Sequence, residues 1–510
     1  MKEKQQAVWW LIILLAIIKF ILPFCLQSPV YELQRDEFLY YQQGQHLAWG
    51  YLENPPLLSW LGSISSWFGG TETSIKCWPS LFGALTVMLT CLLAAEFGGR
   101  ILAQLLAGLA AMTGAFLRIH SLFQPNSLDI FFWTLSIYFL IRFLRSHKDR
   151  HLYLFAISLA LGFWSKYSVA FIIAALLPAL LISSHRKIFL QKRIYGAAAL
   201  MLLLILPNIY WQYANNWPLI HHMGELRETQ LRYVDPKDFL IDQLLMTLPA
   251  VFVWIAGLAW SFKNKGSRFI GFAYSFVIAL LILGSGKSYY ALGIYPVLFA
   301  AGAVAWQQWT IKIKWLYPIL IVIVLLLSWV ILPMALPIWE PAKLAAFYER
   351  HNIKHKWEDQ KEHPLSQDFA DMIGWRELTD KTEKAYYTSV PDTARNNTMI
   401  FCDNYGEAGA LKFYGEQADF KNKVISANGS FLLWIPGDLS FIHILFIGED
   451  LPGKENKIFD HFESYMILDS VTNTLSRQYG SKIIFYRNAD SLVNKLVNDA
   501  LNERKKLFSR

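Results

Sequence analysis

Long apolar runs, separated by short polar stretches, fill the first two thirds of the chain. Runs of membrane length or slightly less lie near 8–27, 77–97, 101–118, 126–144, 152–164 and 168–184. Others follow near 194–213, 243–262, 268–284, 290–306 and 315–337. The first, "VWWLIILLAIIKFILPFCLQ", carries a single charge, and about twenty such positions in a helix cross roughly 30 Å of hydrocarbon. Lys2 and Lys4 ahead of it would suit a secretory leader. The run is too long for one, shows no clear small-residue cleavage site and is followed by many like it, so an anchor is expected. The pattern predicts a polytopic α-helical membrane protein with about eleven transmembrane helices over residues 1–337.

The polar stretches differ on alternate sides. MKEK, Gly98-Gly99-Arg100, "RFLRSHKDRH", "SHRKIFLQKR", "KNKGSR" and "IKIK" all fall on one side, which the positive-inside rule makes cytoplasmic. The other side receives residues 28–75, short connections near 118–125, 164–167 and 284–290, the loop 214–242, and everything after 338. From about 340 the composition becomes that of a water-soluble domain. "DFADMIGWRELTDKTEKAYYTSV" (368–390) reads as an amphipathic helix. "TMIFCDNY", "KVISA", "FLLWI", "FIHILFIG", "SYMILDSV" and "KIIFYRNA" read as strands, and a helix closes the chain. A small extracytoplasmic α/β domain over 338–510 is therefore expected. It shows neither a nucleotide-binding glycine fingerprint nor a defensible catalytic motif.

Composition agrees: of 510 residues, 54% are hydrophobic and only 17% charged, too apolar for an ordinary soluble fold. The net charge of +8 resides in the short cytoplasmic clusters, so nucleic acid is not an expected partner. The four cysteines have no metal-type spacing. Cys25 and Cys77 both fall near outer helix ends and could be bridged, but two unpaired helix cysteines is the preferred reading.

Most chemistry-bearing residues collect on the outer side. Arg35-Asp36-Glu37 open a long aromatic loop that returns through "ENPPLLSWLG", where the proline pair imposes an extended approach. "FLYYQQGQHLAWGYL" can lie along the interface as a short amphipathic helix, holding the acids at the mouth of a cavity. Asp129 falls about one turn inside a helix opened by Pro125 and Asn126. A carboxylate there needs a wet cleft or a cation, with Arg118 and His120 as candidate partners and a structural ion pair as the alternative. Lys166 interrupts "LGFWSKYSVAFII", and Lys287 interrupts "LGSGKSYYALGIYPVLFAAG". Either lysine can snorkel to headgroups. Around Lys287, however, Gly284, Gly286, Tyr289 and Tyr290 suit an anion such as phosphate. In the loop "PNIYWQYANNWPLIHHMGELRETQLRYVDP", His221 and His222 could join Glu53 on a metal, although a plain polar loop fits better.

Taken in order, these segments resemble the polyprenyl-phosphate-sugar-dependent glycosyltransferases of the GT-C membrane fold, among the bacterial relatives of protein O-mannosyltransferases and of the lipid A aminoarabinose transferase. The resemblance rests on Asp36-Glu37 with Tyr40, "ENPPLLSWL", "PNSLDIFFWTL", the lysine in "WSKYSVAF", and "GKSYYALGIYPVL". "GWRELTDKTEKAYY" and "FCDNYGEAGALKFYG" also resemble the family's outer carboxy-terminal domain. The resemblance implies that Asp36, with Glu37 beside it, is the catalytic carboxylate that deprotonates an acceptor hydroxyl. It implies a donor sugar on undecaprenyl phosphate and an acceptor that is a lipid, glycan or protein. A bacterial inner membrane follows, with the amino terminus cytoplasmic and the carboxy-terminal domain periplasmic. The family usually has Glu-Lys-Pro-Pro where this chain has Glu53-Asn54-Pro55-Pro56, so Lys166, Lys287 or Arg118 must supply the phosphate charge. Some relatives bind a divalent metal near that glutamate and a later histidine, which would match Glu53 and His221 or His222. A transporter or lipid flippase is the alternative. Transporters usually carry two related halves, and no internal repeat is found.

Overall fold

The computed structural model of the protein describes residues 4–449 and 457–509, so the first three residues of the MKEK cluster lie outside the described range. Among the described residues, six helices are long and apolar enough to cross a membrane: Trp9–Leu26, Glu72–Glu96, Pro125–Ser146, Lys192–Ala214, Ser288–Trp309 and Leu316–Ala335. A pair bent by 71°, Pro236–Met246 with Leu248–Lys263, makes a seventh if counted as one span. Shorter apolar helices, Ile101–Met112, Val169–Ile182 and Arg268–Leu283, fall on three more of the expected runs, and Asp149–Ser165 on another. The expected run 101–118 is not continuous. It breaks at Gly114, where φ is +64° and a Cβ would meet the Met246 carbonyl oxygen at 2.3 Å. Only glycine satisfies both the conformation and the space.

Small residues set the closest helix contact. Helix Val251–Lys263 lies on Tyr295–Trp309, and the two backbones touch at Gly257 and Gly302. A Cβ on Gly257 would come within 2.0 Å of the Leu298 carbonyl oxygen, and one on Gly302 within 1.8 Å of that of Val253. Lipid offers no hydrophobic drive for helix association, so close van der Waals packing of this kind holds the bundle.

The two ends of the bundle differ. At one end the basic loops meet: Lys4 and Arg142 pair with Glu96 at 2.7 and 3.2 Å. The Ser184 hydroxyl donates to the Lys265 carbonyl at 3.1 Å. At the other end, residues 28–75 fold into two short helices, Arg35–Gln45 and Leu57–Trp67. The first covers only the start of the helix expected over 38–52: it stops at Gln45 and packs under the sheet domain. The loop 214–242 is largely helical rather than irregular, with Pro218 opening Pro218–Thr229 and Asp235 capping Pro236–Met246. Cys25 and Cys77 are both free.

Beyond residue 340 lies a five-stranded sheet, in the order Val424–Ser426, Thr398–Cys402, His443–Gly448, Lys482–Ala489, Phe462–Ser470. The first three strands are parallel and the last two pair antiparallel. Five of the six expected strands are present. "FLLWI" instead forms the helical turn Phe431–Trp434, because the Glu53 carboxylate accepts the Ser430 amide at its start. The helix expected over 368–390 is interrupted: Gln367–Ala370 and Trp375–Ser389 are separated by Gly374 at φ +92°.

This domain rests directly on the outer helices. Helix Tyr405–Tyr414 approaches Arg35–Gln45 through Gly406 and Gly409, where added Cβ atoms would lie 2.6 Å from Arg35 Cγ and Phe38 Cβ respectively. Phe38, fully buried, meets Trp375, Phe413 and Tyr414 edge-on at 5.5, 5.9 and 5.6 Å. Membrane bundle and sheet domain thus share an apolar core around the segment that carries Asp36. Replacing Gly302 by leucine is expected to separate the helices that touch there. Overpacking costs about 1–3 kcal/mol or more, read as a lower thermal midpoint of the detergent-purified protein and a loss of its monodisperse fraction.

Candidate active site at the junction of bundle and sheet domain

Asp36 is the second residue of helix Arg35–Gln45, whose start is closed by a capping box between Gln34 and Glu37. Three donors from three segments hold its carboxylate. The Tyr405 phenol donates to Oδ1 at 2.7 Å, Arg35 Nε to the same oxygen at 3.4 Å, and the Gln124 amide to Oδ2 at 3.3 Å. The side chain keeps 26% exposure, so it faces a cleft. Tyr40 follows one turn later on the same helix. Burial, with Asp36 beside it, holds its phenol well above the ordinary range, so it stays a neutral donor.

The two lysines singled out from the sequence have different surroundings. Lys166 lies in extended backbone between two helices. Its ammonium donates to Asn126 Oδ1 at 2.6 Å and sits 4.1 and 5.1 Å from the ring centroids of Tyr290 and Tyr289, a cation–π arrangement. It acts electrostatically on Asp129, and Lys287 acts on it. Asp129 is buried on the helix opened by Pro125, facing Lys166, Ser168 and Trp133, and its Oδ1 has no hydrogen-bond partner among the described residues. Its cation is Lys166, not Arg118 or His120. Lys287 lines a cavity of about 370 Å³ between the 229–230 and 356–368 segments, with Trp357, Glu358 and Asp368. Burial lowers its pKa while Glu358, Asp36 and Asp368 oppose that shift. Among the described residues its ammonium has no hydrogen-bond or ion-pair partner.

Several other candidates have different roles. Glu37, expected to act with Asp36, is fully buried. It pairs with Lys76 at 2.9 Å and accepts the amides of Phe123 and Gln34 at 2.6 and 2.7 Å. Arg118 is neutralised by Asp368 at 2.9 Å and lies 4.3 Å over the Phe369 ring, so it offers no free charge to a phosphate. His120 is fully buried against Gly83, with both ring nitrogens unpartnered. Asn54 is also buried and donates to the carbonyl of its neighbour Pro55 at 2.8 Å.

The suggested metal set does not assemble. Glu53 accepts the Ser430 amide at 2.7 Å, the Ser430 hydroxyl, and the Gln43 amide at 3.0 Å. Its oxygens are engaged in joining the domains. His221 packs edge-on to Phe508 with centroids 5.6 Å apart. His222 is brought down to about 4 by burial, with Lys287 nearby adding to the shift. Among the described residues no three His, Cys, Asp or Glu side chains form a metal-binding group, so the residues present do not fit one.

Tyr405 and Gln124 were not among the residues singled out from the sequence. The segment "FCDNYGEAGALKFYG" does carry a legible helix start, the Asn404–Glu407 capping box. Nothing local in it indicates that its tyrosine would meet a carboxylate 369 positions away.

Residues 53–211 match the protein family described as dolichyl-phosphate-mannose-protein mannosyltransferase. No curated protein matches the chain. Among solved structures, ArnT from Cupriavidus metallidurans bound to undecaprenyl phosphate matches at a TM-score of 0.60 and 13% identity, over 96% of this chain and 99% of that one. The arabinofuranosyltransferase AftD from Mycobacteria matches at 0.51 and 11% identity, over 96% of this chain and 42% of that one. The oligosaccharyltransferase of Archaeoglobus fulgidus, in complex with Zn and sulfate, matches at 0.50 and 12% identity, over 86% of this chain and 67% of that one. At these identities the structural likeness is one of fold. The chain is thus similar in fold to these membrane glycosyltransferases, and its residues 53–211 match the mannosyltransferase family. The adjacent acids should separate experimentally. Glu37→Ala strands Lys76 and is expected to cost about 3–5 kcal/mol of stability, as for other broken buried ion pairs. Asp36→Asn should unfold at the wild-type temperature in the same differential scanning measurement.

Proposed function

We propose that the protein moves a sugar from a polyprenyl-phosphate-linked donor to the hydroxyl of a lipid, glycan or protein outside the cytoplasm. Asp36 is the general base in this reading. It takes the proton from the acceptor hydroxyl as that oxygen attacks the anomeric carbon. The bond from the anomeric carbon to the lipid phosphate oxygen breaks in the same displacement, which inverts the anomeric centre. Negative charge then grows on the departing polyprenyl phosphate. Lys287, which lines the cavity, and Lys166 stabilise it. The isoprenoid tail lies between spans, and the reaction needs no nucleotide because the phosphate ester is already activated.

The observation that supports the reading is an electrostatic chain from Asp36 through Lys287 to Lys166. The basic loops gather at the end of the bundle away from residues 28–75, which supports a multi-pass arrangement of about eleven crossings in a bacterial plasma membrane. In that arrangement the amino terminus is cytoplasmic and the domain over 338–510 extracytoplasmic. A flippase would have little use for a general base held by three donors at one membrane face.

In membranes given radiolabelled undecaprenyl-phosphate-linked sugar, wild-type protein is expected to release undecaprenyl phosphate. Asp36→Asn should release none while expressing normally, and turnover by that variant would refute the assignment. Lys287→Ala removes a cation that satisfies no protein partner. It should leave the thermal midpoint unchanged and slow release by at least about ten-fold, as loss of one transition-state charge contact does.

A further inference from the structure

Helix Tyr405–Tyr414 belongs to the sheet domain, yet its first residue reaches into the bundle's polar cluster. The Tyr405 phenol makes the shortest hydrogen bond to Asp36, at 2.7 Å. Arg35 lies over the tyrosine ring, 5.4 Å from its centroid, and fixes its plane. The two glycines that follow, Gly406 and Gly409, bring the helix backbone close enough for this contact, since a Cβ at either would meet Arg35 Cγ or Phe38 Cβ at 2.6 Å. Tyr405 also acts electrostatically on Tyr40, so it stands among the groups around the carboxylate rather than behind them.

We propose that Tyr405 is a positioning residue for Asp36, through which the carboxy-terminal domain sets the geometry of the base; the inference rests on Asp36 being that base. A carboxylate has several acceptor directions. A proton can be taken efficiently only along one aimed at the acceptor hydroxyl. Tyr405 occupies Oδ1, and the longer bond from Gln124 leaves Oδ2 as the oxygen with free acceptor capacity. Burial and the Asp36 charge keep the Tyr405 phenol well above its usual range, so it remains a donor throughout the pH range of an assay. The domain is therefore part of the working site as well as a cover over it.

The test uses the full-length protein in detergent. Its donor is radiolabelled undecaprenyl-phosphate sugars extracted from the producing cell's own membranes, and envelope fractions supply the acceptor. Tyr405→Phe keeps the ring over Arg35 and removes only the hydroxyl. Hydrogen bonds to charged groups contribute about 1.5–3 kcal/mol, so kcat is expected to fall roughly ten- to hundred-fold. The apparent KM for donor and the binding of undecaprenyl phosphate should stay within about two-fold of wild type, because the donor itself does not touch the hydroxyl. The other groups that face Asp36 (Arg35, Tyr40, Tyr289, Lys287 and Asp371) are untouched by the substitution. Gly409→Ala, which pushes the helix away without altering a polar group, should lower kcat in the same way.

Tyr414→Phe is the control. It removes another contact of the same helix, the hydroxyl donated to Glu72 at 2.7 Å, and should keep wild-type kcat. An equal loss in Tyr414→Phe overturns the inference, since general loosening of the domain would then explain both. Wild-type turnover in Tyr405→Phe, with Asp36→Asn inactive, also overturns it and leaves the glycosyl-transfer reading standing. An active Asp36→Asn overturns that reading instead.

Discussion

Glu37 is wholly buried, and its two oxygens are shared among the Lys76 ammonium and the backbone amides of Phe123 and Gln34. That ion pair ties the first outer helix to the span Glu72–Glu96 and to the connection that precedes Pro125. Neither charge could remain there alone, because an uncompensated buried ion is far costlier than the pair. Neighbouring residues on a helix point about 100° apart. With Glu37 fixed inward by three contacts, Asp36 is directed to the cleft. The position of the Asp36 carboxylate therefore depends on its buried neighbour, although the two side chains are alike in type.

The same logic sorts the cations. Lys76 and Arg118 each have a carboxylate within 3 Å, and Lys4 has one at 2.7 Å at the opposite end of the bundle. These charges hold segments together and have little left for a ligand. Lys166 is held by a neutral amide and two aromatic rings, and Lys287, among the described residues, by neither kind of partner. A cation kept at a low-dielectric boundary without full compensation is poised to receive an anion. Burial alone would not separate these lysines from the others; the inventory of partners does.

The carboxy-terminal domain joins the bundle by polar contacts as well as by the apolar core around Phe38. Glu53 accepts from Ser430, Asp368 from Arg118, Asp36 from Tyr405, and Glu72 from Tyr414. In three of these pairs the acid belongs to the bundle side and faces the sheet domain across their boundary; Asp368 is the domain's own acid. Acids at such a boundary need donors, and a second domain can supply them where lipid cannot. Residues that look catalytic by type, Glu53 above all, are thereby committed to the interface.

Much of this was legible in the sequence. The apolar runs, the one-sided basic loops, the change of composition near 340 and most of the sheet strands all follow from local properties. Transfer of a segment from water to hydrocarbon is decided by about twenty consecutive residues, and strand alternation by fewer. The errors fell where distant groups decide the outcome. "FLLWI" became a helical turn under a carboxylate 377 residues away. Glu37, Arg118, His120 and Glu53 were drawn into packing by partners that no local pattern names. The sequence alone determined which segments enter the membrane and which side chains have chemistry to offer. Only the tertiary structure decided which of those side chains are satisfied by the protein and which remain for a substrate, because pairing energy depends on contacts between segments hundreds of residues apart.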